Sequence, residues 1–256
     1  MISYKWRVKS DWVAHASRVL VLASRQNNLL PATAIIFSVS IAIHAAGQDR
    51  VDKHDEQIRY VAIGDSYSIG EGASPNESWP ALLTKHLQAQ GLKIELIANP
   101  SRTGWTTQNA IDRELPIFHE SKPNFATLQI GVNDWVQGVD RETFRKHFNL
   151  LTDEMLGVLR DPKRLLIVTI PDFGVTPTGP RYAGGRNISR GIADFNSIIR
   201  EESAKRGLGV VDVFELSKKM GKDQSLVAGD GLHPSAKEYA EWEKIISAAA
   251  LELLKR

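Results

Sequence analysis

After Asp49 the chain alternates short apolar runs with longer segments in which apolar residues recur at helical spacing. The short runs predict buried strands over 59–63, 93–98, 125–130, 165–170 and 209–213. The longer segments predict helices over 78–90, 106–115, 141–159, 189–206 and 235–254. Strands that alternate with helices indicate βαβ units. The pattern therefore predicts an α/β fold with a parallel sheet covered by helices on both faces.

Three of the predicted helix ends carry local signals. Asp140 is placed to cap the helix over 141–159, because an aspartate before the first turn accepts bonds from free backbone N–H groups. Pro116 is expected to end the helix over 106–115. Ser235 and Glu238 have the spacing of a capping box at the start of the last helix.

The first 48 residues have a different pattern. Leu29–Ala46 is apolar and holds no Asp, Glu, Lys or Arg; five basic residues precede it, and Ala45, Ala46 and Gly47 close it. This order is typical of a cleaved secretory signal. Its length also approaches the roughly 20 residues of a membrane span, so an uncleaved anchor is an alternative, and a core helix is a third. We predict a signal peptide or anchor over 1–48 and an exported (periplasmic or secreted) domain over 49–256.

Composition excludes several classes of protein and site. Hydrophobic residues make up 42% and charged residues 24% of the chain, as in ordinary globular proteins. The formal net charge is +2, so nothing predicts a nucleic-acid partner. The chain has no cysteine, which excludes disulfides, thiolate metal sites and cysteine nucleophiles.

A serine lies directly after the first predicted strand, in Gly64-Asp65-Ser66. A tight turn at a strand end can present its hydroxyl at the rim of the sheet. A serine hydroxyl is a weak nucleophile until a neighbouring base accepts its proton. Taken alone, the same residues also fit a cap of the following helix.

A carboxylate and an imidazole stand three positions apart in Asp230-Gly231-Leu232-His233. Such a pair allows the carboxylate to fix the tautomer of the ring and to stabilise its protonated form. Taken alone, a histidine in a polar turn is the simpler interpretation. Two further loops hold Gly104 and Asn133, which can donate hydrogen bonds to a developing oxyanion but also fit ordinary turns.

The order and content of these four loops resemble the SGNH hydrolase family, also called GDSL esterases and lipases, over Arg59–Leu254. The resemblance implies that Ser66 is the nucleophile, and that Asp230 and His233 complete a catalytic triad. It also implies an oxyanion hole formed by Ser66, Gly104 and Asn133. The implied fold is a three-layer α/β/α sandwich with a five-stranded parallel, flavodoxin-like sheet. Tyr67 stands where the family name has leucine, outside the reacting groups.

The family's chemistry implies an esterase that acts on a small-molecule or lipid acyl ester, or on a thioester, in the manner of a lysophospholipase or thioesterase. No cofactor is expected. The first alternative is a carbohydrate O-deacetylase of the same family, and the second is a catalytically idle binding module. A membrane tether through the N-terminal segment is compatible with each of these functions, and the sequence indicates no oligomeric state.

Asp65 and Asp134 raise the alternative of a metal site with Asp230 and His233. A metal-dependent hydrolase is expected to have several histidine or carboxylate ligands in such loops, and only one histidine lies in these motifs, so no metal is predicted.

The segment Pro171–Asn187 is rich in Gly and Pro and follows the fourth predicted strand. Loops of this length are often functional, so we expect it to border the acyl or alcohol pocket, with Trp105 and Trp135 as further lining. Surface decoration is the equal alternative.

Overall fold

The computed structural model describes residues 56–255, and its centre is one sheet of parallel strands. The strands are β1 (Ile58–Gly64), β2 (Ile94–Ala98), β3 (Phe125–Gln129), β4 (Leu165–Val168) and β5 (Gly209–Val211), in the order β2-β1-β3-β4-β5. This order is the flavodoxin-like one. The five predicted strands are therefore confirmed, each within about two residues at its ends. The predicted signal or anchor segment lies outside the described residues.

Helices cover both faces of the sheet. They are α1 (Ser66–Ile69), α2 (Trp79–Ala89), α3 (Thr107–Asn109), α4 (Leu115–Ser121), α5 (Val132–Val136), α6 (Arg141–Leu159), α7 (Ile188–Lys205), α8 (Phe214–Ser217) and α9 (Ala236–Leu254). α2 packs against α9, while α6 packs against α4 and α7. The three-layer α/β/α sandwich is thus confirmed. Within residues 56–255 no helix is long and apolar enough to cross a membrane.

Polar side chains inside the sheet bond to one another. The Tyr60 hydroxyl lies 2.7 Å from the Thr127 hydroxyl oxygen, between β1 and β3. The Trp79 indole N–H donates to Gln129 Oε1 at 2.9 Å, and the amide of Gln129 donates to the carbonyl oxygen of Thr169 at 3.2 Å. These bonds remove the cost of burying polar groups and fix α2 against the central strands.

The structure confirms the helix signal at Asp140 and contradicts the one at Pro116. The Asp140 carboxylate accepts bonds from the backbone N–H groups of Glu142 and Thr143. The chain after α3 does not stop at Pro116 but passes through a π-helical segment, Ala110–Glu114, into α4. The π segment separates α3 from α4, so Pro116 lies in the first turn of α4. A missing backbone N–H is tolerated in a first turn, because that group would have no partner within the helix.

The capping box predicted at the start of α9 is wrong. Ser235 occupies the N-cap position, but its hydroxyl donates to the carbonyl oxygen of Ser225 at 2.8 Å. Glu238 is buried and accepts the indole N–H of Trp242 at 2.7 Å, one helical turn along. Glu238 therefore points towards the core rather than back to the helix start.

Candidate active site

The Gly64-Asp65-Ser66 turn follows β1, beside the point where the strand order reverses between β1 and β3. In sheets of this kind, ligands bind at that point. Gly64 is required by close packing, since a Cβ there would lie 2.2 Å from Ser68 Oγ and 2.3 Å from the carbonyl oxygen of Gln129. The turn therefore brings Ser66 to the rim of the sheet at the first residue of α1.

Asp65 shapes the start of α1. Its Oδ1 accepts the backbone N–H of Tyr67 at 3.0 Å, as an N-cap residue does. Burial raises the pKa of Asp65 to about 8, and the nearby Asp134 adds to this increase, while the bond from Tyr67 opposes it. Asp65 thus supports the turn, and no contact places it against the reacting groups.

Ser66, His233 and Asp230 form a continuous hydrogen-bonded chain, although the serine and histidine are 167 positions apart. His233 Nε2 lies 3.0 Å from Ser66 Oγ, and His233 Nδ1 lies 2.6 Å from Asp230 Oδ2. Ser66 and His233 are 4% and 7% exposed. The structure therefore brings together the three residues predicted as the triad, in an arrangement that allows proton transfer from the serine to the ring.

Asp230 is held as a carboxylate. Partial burial alone would raise its pKa, but hydrogen bonds from the His233 ring and from the backbone N–H groups of Leu232 and His233 outweigh burial and lower it. Its Oδ1 accepts those two backbone bonds at 2.8 and 3.0 Å, which leaves Oδ2 directed at the imidazole. The turn between Asp230 and His233 thus orients both partners.

Tyr67 contributes to the support of the imidazole. Its ring meets the His233 ring edge-on at 5.8 Å between centroids, and on another side it packs against Trp242 at 5.9 Å. The tyrosine at the position where the family name has leucine is therefore part of an aromatic wall beside His233.

The two predicted oxyanion donors follow the two strands that flank β1: Gly104 lies after β2, and Asn133 lies after β3. Asn133, in α5, donates an amide hydrogen to the carbonyl oxygen of Trp105 at 2.9 Å. Gly104 is exposed, has a φ of +80°, and accepts a bond from Gln137 at 3.4 Å. Asn133 is therefore tethered beside Gly104, and its amide retains a second hydrogen for donation.

Asp134 is engaged away from the reacting groups. It is fully buried, and it accepts bonds from the backbone N–H of Thr107 at 2.8 Å and from the Thr107 hydroxyl. The same hydroxyl lies 3.1 Å from His147 Nδ1. Burial raises the pKa of Asp134. Asp134 thus joins α5 to the start of α3. Within residues 56–255 there is no group of three His, Cys, Asp or Glu side chains that could hold a metal ion.

Sequence reasoning missed Glu114. It is fully buried, and its Oε2 accepts the backbone N–H of Gly64, the first residue of the serine turn, at 3.0 Å. Burial raises its pKa to about 8, and the nearby Asp65 adds to this increase. In the sequence, a single acidic residue in a helical segment looks like an exposed residue on the helix surface. Only the sheet topology brings it beneath the turn, so no sequence signal could have found it.

A small apolar pocket of about 50 Å³ adjoins the triad. Ser66, Asn133 and His233 lie at its reacting end. Its walls are Tyr67, Val132, Val136, Phe173, Tyr182 and Leu232. Two of these residues belong to the segment 171–187, so the prediction that this segment borders a pocket is confirmed. Trp105 and Trp135 do not line this pocket: Trp135 packs against Phe173, and the carbonyl oxygen of Trp105 accepts a hydrogen bond from Asn133.

Comparison with known proteins finds a matching family model and solved structures of similar fold. The model of the GDSL-like lipase/acylhydrolase family matches residues 62–240. Among solved structures, a family 3 carbohydrate esterase from Clostridium thermocellum is similar, with a TM-score of 0.61 and 20% identity, covering 78% of this chain and 98% of that one. This likeness supports the fold.

Two curated relatives match part of the chain. An arylesterase from Vibrio mimicus is 26% identical over 103 residues, which cover 40% of this chain and 49% of the relative. The thioesterase 1/protease 1/lysophospholipase L1 of Escherichia coli strain K12 is 22% identical over 139 residues, or 54% of this chain and 61% of the relative. The chain thus spans about half to three-fifths of the length of these relatives.

Proposed function

The chain belongs to the GDSL-like lipase/acylhydrolase family, and from this membership we propose that it is a serine esterase that hydrolyses carboxylic ester or thioester bonds. The observation that carries the proposal is the chain of contacts from Ser66 Oγ to His233 Nε2 at 3.0 Å and from His233 Nδ1 to Asp230 at 2.6 Å. This geometry suits activation of a serine hydroxyl by a neighbouring base.

In the proposed first half-reaction, Ser66 Oγ attacks the acyl carbonyl carbon while His233 Nε2 takes the hydroxyl proton. The carbonyl π electrons move to the oxygen, and this oxyanion accepts bonds from the backbone N–H groups of Ser66 and Gly104 and from the Asn133 amide. The oxyanion then re-forms the carbonyl, the bond to the leaving group breaks, and His233 returns the proton to the alcohol or thiol. The product of this step is an acyl-enzyme on Ser66.

In the second half-reaction, water attacks the acyl-enzyme as His233 accepts one of its protons. Collapse of the second tetrahedral intermediate breaks the bond to Ser66 Oγ, which regains the proton from His233. The carboxylic acid leaves, and the free hydroxyl is restored. Asp230, which remains a carboxylate, stabilises the positive ring in both halves.

The test is hydrolysis of nitrophenyl acetate and butyrate by the full-length chain and its Ser66→Ala variant. We expect the variant to lose on the order of a millionfold in kcat, as in other serine hydrolases. Ser68→Ala is the matched control, because Ser68 is buried two residues away and its hydroxyl has no partner among the described residues. Equal activity in wild type and Ser66→Ala would refute the proposal. Activity of neither protein on any ester would favour the idle binding module.

A carbohydrate O-deacetylase is the second candidate, favoured by the small pocket beside Ser66, which suits an acetyl group. Removal of acetyl groups from acetylated xylo-oligosaccharides, measured as released acetate, separates it from a general esterase. We further propose that the enzyme is exported, because residues 29–46 have the apolar composition of a secretory signal or anchor.

A further inference from the structure

We infer that this enzyme prefers short, uncharged acyl groups of about two to four carbons, because the pocket beside Ser66, which Phe173 and Tyr182 border, is small. The inference rests on the proposed esterase function and names the substrate class of the same site. It concerns the acid side of the ester and places no limit on the alcohol.

The size of the pocket sets the limit on the acyl chain. A cavity needs about 10–15 Å³ of this kind of volume for each water-sized group that it holds. The 50 Å³ beside Ser66 therefore accommodates roughly three to four such groups, and a methylene is slightly larger than a water molecule. An acetyl, propionyl or butyryl tail fits this volume, whereas an octanoyl tail exceeds it.

The chemistry of the walls sets the character of the tail. Beyond the reacting groups the pocket presents Val132, Val136 and Leu232 together with aromatic rings. Burial of a methyl or methylene group against these side chains is favourable, while a charged tail would lose its hydration without an ionic partner among the lining residues. The site therefore favours uncharged acyl groups.

The end wall is backed by further packing. Phe173 is 2% exposed and meets the Trp135 ring at 6.0 Å and the Tyr182 ring at 6.4 Å between centroids. Trp135 lies so close to α7 that a Cβ at Gly191 would be 1.8 Å from its indole nitrogen. Phe173 is thus packed from behind, whereas Tyr182, which also lines the pocket, is 42% exposed.

Arg186 fastens the segment that carries both aromatic residues. Its guanidinium lies 4.0 Å from the centroid of the Trp135 ring, and it donates to the carbonyl oxygens of Trp135 at 2.6 Å and Val136 at 2.9 Å. Charge-assisted bonds in a planar fork of this kind are among the stronger ones in proteins. The pocket cannot widen at this side unless these bonds break.

A second attachment holds the middle of the segment. The backbone N–H of Thr178 donates to the carbonyl oxygen of Gly231 at 2.8 Å, and its hydroxyl donates to the carbonyl oxygen of Asp230 at 3.1 Å. The segment is therefore anchored to the triad turn as well as to α5. A long-chain acyl group, as in a lysophospholipid, would have to displace Tyr182 from a segment fixed at both attachments.

The experiment compares kcat/KM of the full-length chain for nitrophenyl acetate, butyrate and octanoate, which share one leaving group. We expect a fall of at least about tenfold from butyrate to octanoate, the scale of discrimination against added methylenes. Tyr182→Ala removes the outer wall and should raise the octanoate-to-acetate ratio about tenfold, whereas Tyr182→Phe, which keeps the ring, should preserve the wild-type ratio.

A second pair of variants tests the attachment. Arg186→Met keeps an apolar stem but loses the bonds to α5, and it should raise the same ratio. Arg181→Met is the matched control, because Arg181 is exposed on the same segment and does not line the pocket. Thermal melting of each variant verifies that it is folded.

The outcomes separate the two proposals. A wild type that hydrolyses octanoate as fast as butyrate would overturn the short-acyl inference and leave the esterase intact. A steep wild-type profile that Tyr182→Ala leaves unchanged would overturn the closing role of the aromatic wall. Absence of any activity that depends on Ser66 would overturn the proposed function and this inference with it.

Discussion

Asn133 has two amide hydrogens, and one of them is already donated to the carbonyl oxygen of Trp105. That bond fixes the side chain, so the second hydrogen is held in place for the oxyanion that the proposed mechanism forms. A donor that needs no reorganisation during the reaction is worth more than a mobile one.

We expect Asn133→Ala to lower kcat by about 10²–10³-fold, the usual cost of one missing oxyanion donor. Gln137→Ala is the control, because it removes the neighbouring bond to Gly104 without removing the donor, and it should stay within a few-fold of wild type. Steady-state kinetics on nitrophenyl butyrate measures both. An Asn133→Ala rate near that of wild type would show that the donor role is wrongly assigned.

Glu114 makes a prediction about stability against pH. In the folded chain burial raises its pKa from 4.5 to about 8, and the negative charge of Asp65 adds to this increase. Between about pH 5 and 8 the folded state therefore keeps a proton that the unfolded state has lost. The contribution of Glu114 to the free energy of unfolding is therefore fully present at the acid end of this window. It is lost as the pH rises towards about 8.

Glu114→Gln cannot titrate, so we expect its melting temperature to fall less than that of wild type between pH 5 and pH 8. The difference should be several degrees, since 1 kcal/mol corresponds to roughly 2–4 °C for a domain of this size. Glu120→Gln, at an exposed position in α4, should keep the wild-type slope. Parallel slopes for Glu114→Gln and wild type would refute the raised pKa.

Among single residues, the sequence predicts the reacting groups of the proposed mechanism but not the residues that support them. Ser66, Gly104, Asn133 and His233 are each ambiguous alone, and they become specific only as a set in a fixed order. Glu114 has no such context, because its role depends on a contact with Gly64 across 50 positions.

Two glycines inside helices occupy opposite environments. Gly191 in α7 faces the Trp135 indole, whereas a Cβ added at Gly157 in α6 would meet nothing within 4 Å. Alanine is the better helix former by roughly 1 kcal/mol. The space around each glycine therefore decides whether its replacement by alanine raises or lowers the stability of the chain.

We expect Gly191→Ala to destabilise the chain by about 1–3 kcal/mol through overpacking against Trp135. Gly157→Ala should stabilise it by roughly 0.5–1 kcal/mol. Urea denaturation of both variants and wild type gives the two values. An unchanged free energy of unfolding in Gly191→Ala would mean that α5 and α7 can move apart without loss of stability. It would also weaken the case for a rigid pocket wall.

The strands and long helices can be predicted from the sequence, because the spacing of their apolar residues indicates which face of each element is buried. The failures lie where tertiary packing overrides a local signal. Pro116 signals an end, yet the π segment before it allows a new helix to begin. Glu238 has capping-box spacing, yet Trp242 draws it into the core.

In the whole molecule, the sheet order converts separate motifs into one site. Because β1 lies between β2 and β3, the loops after these three strands meet at one edge, where Ser66, Gly104 and Asn133 lie. Alternation of strands and helices predicts a parallel sheet. The strand order and the approach of His233 from the far end of the chain followed only from the family resemblance.

Export is the prediction that concerns the full chain. When the full-length chain is produced in a bacterial host and the cells are fractionated, we expect it outside the cytoplasm with an N-terminus near Gln48. Intact mass spectrometry and N-terminal sequencing measure this. Full-mass protein in the membrane fraction would indicate the uncleaved anchor, and full-mass protein in the cytoplasm would contradict both.

The segment 171–187 is attached to Trp135 and Val136 through Arg186 and to the Asp230–Gly231 turn through Thr178. Under the proposed function, one stretch of chain therefore both borders the acyl pocket and holds the turn that carries Asp230. For evolution this is a constraint: insertions or deletions that would enlarge the pocket also disturb the turn that carries Asp230. Lineages that broaden their substrates are expected to do so by single replacements at the tip, at Tyr182, and to leave both attachments in place.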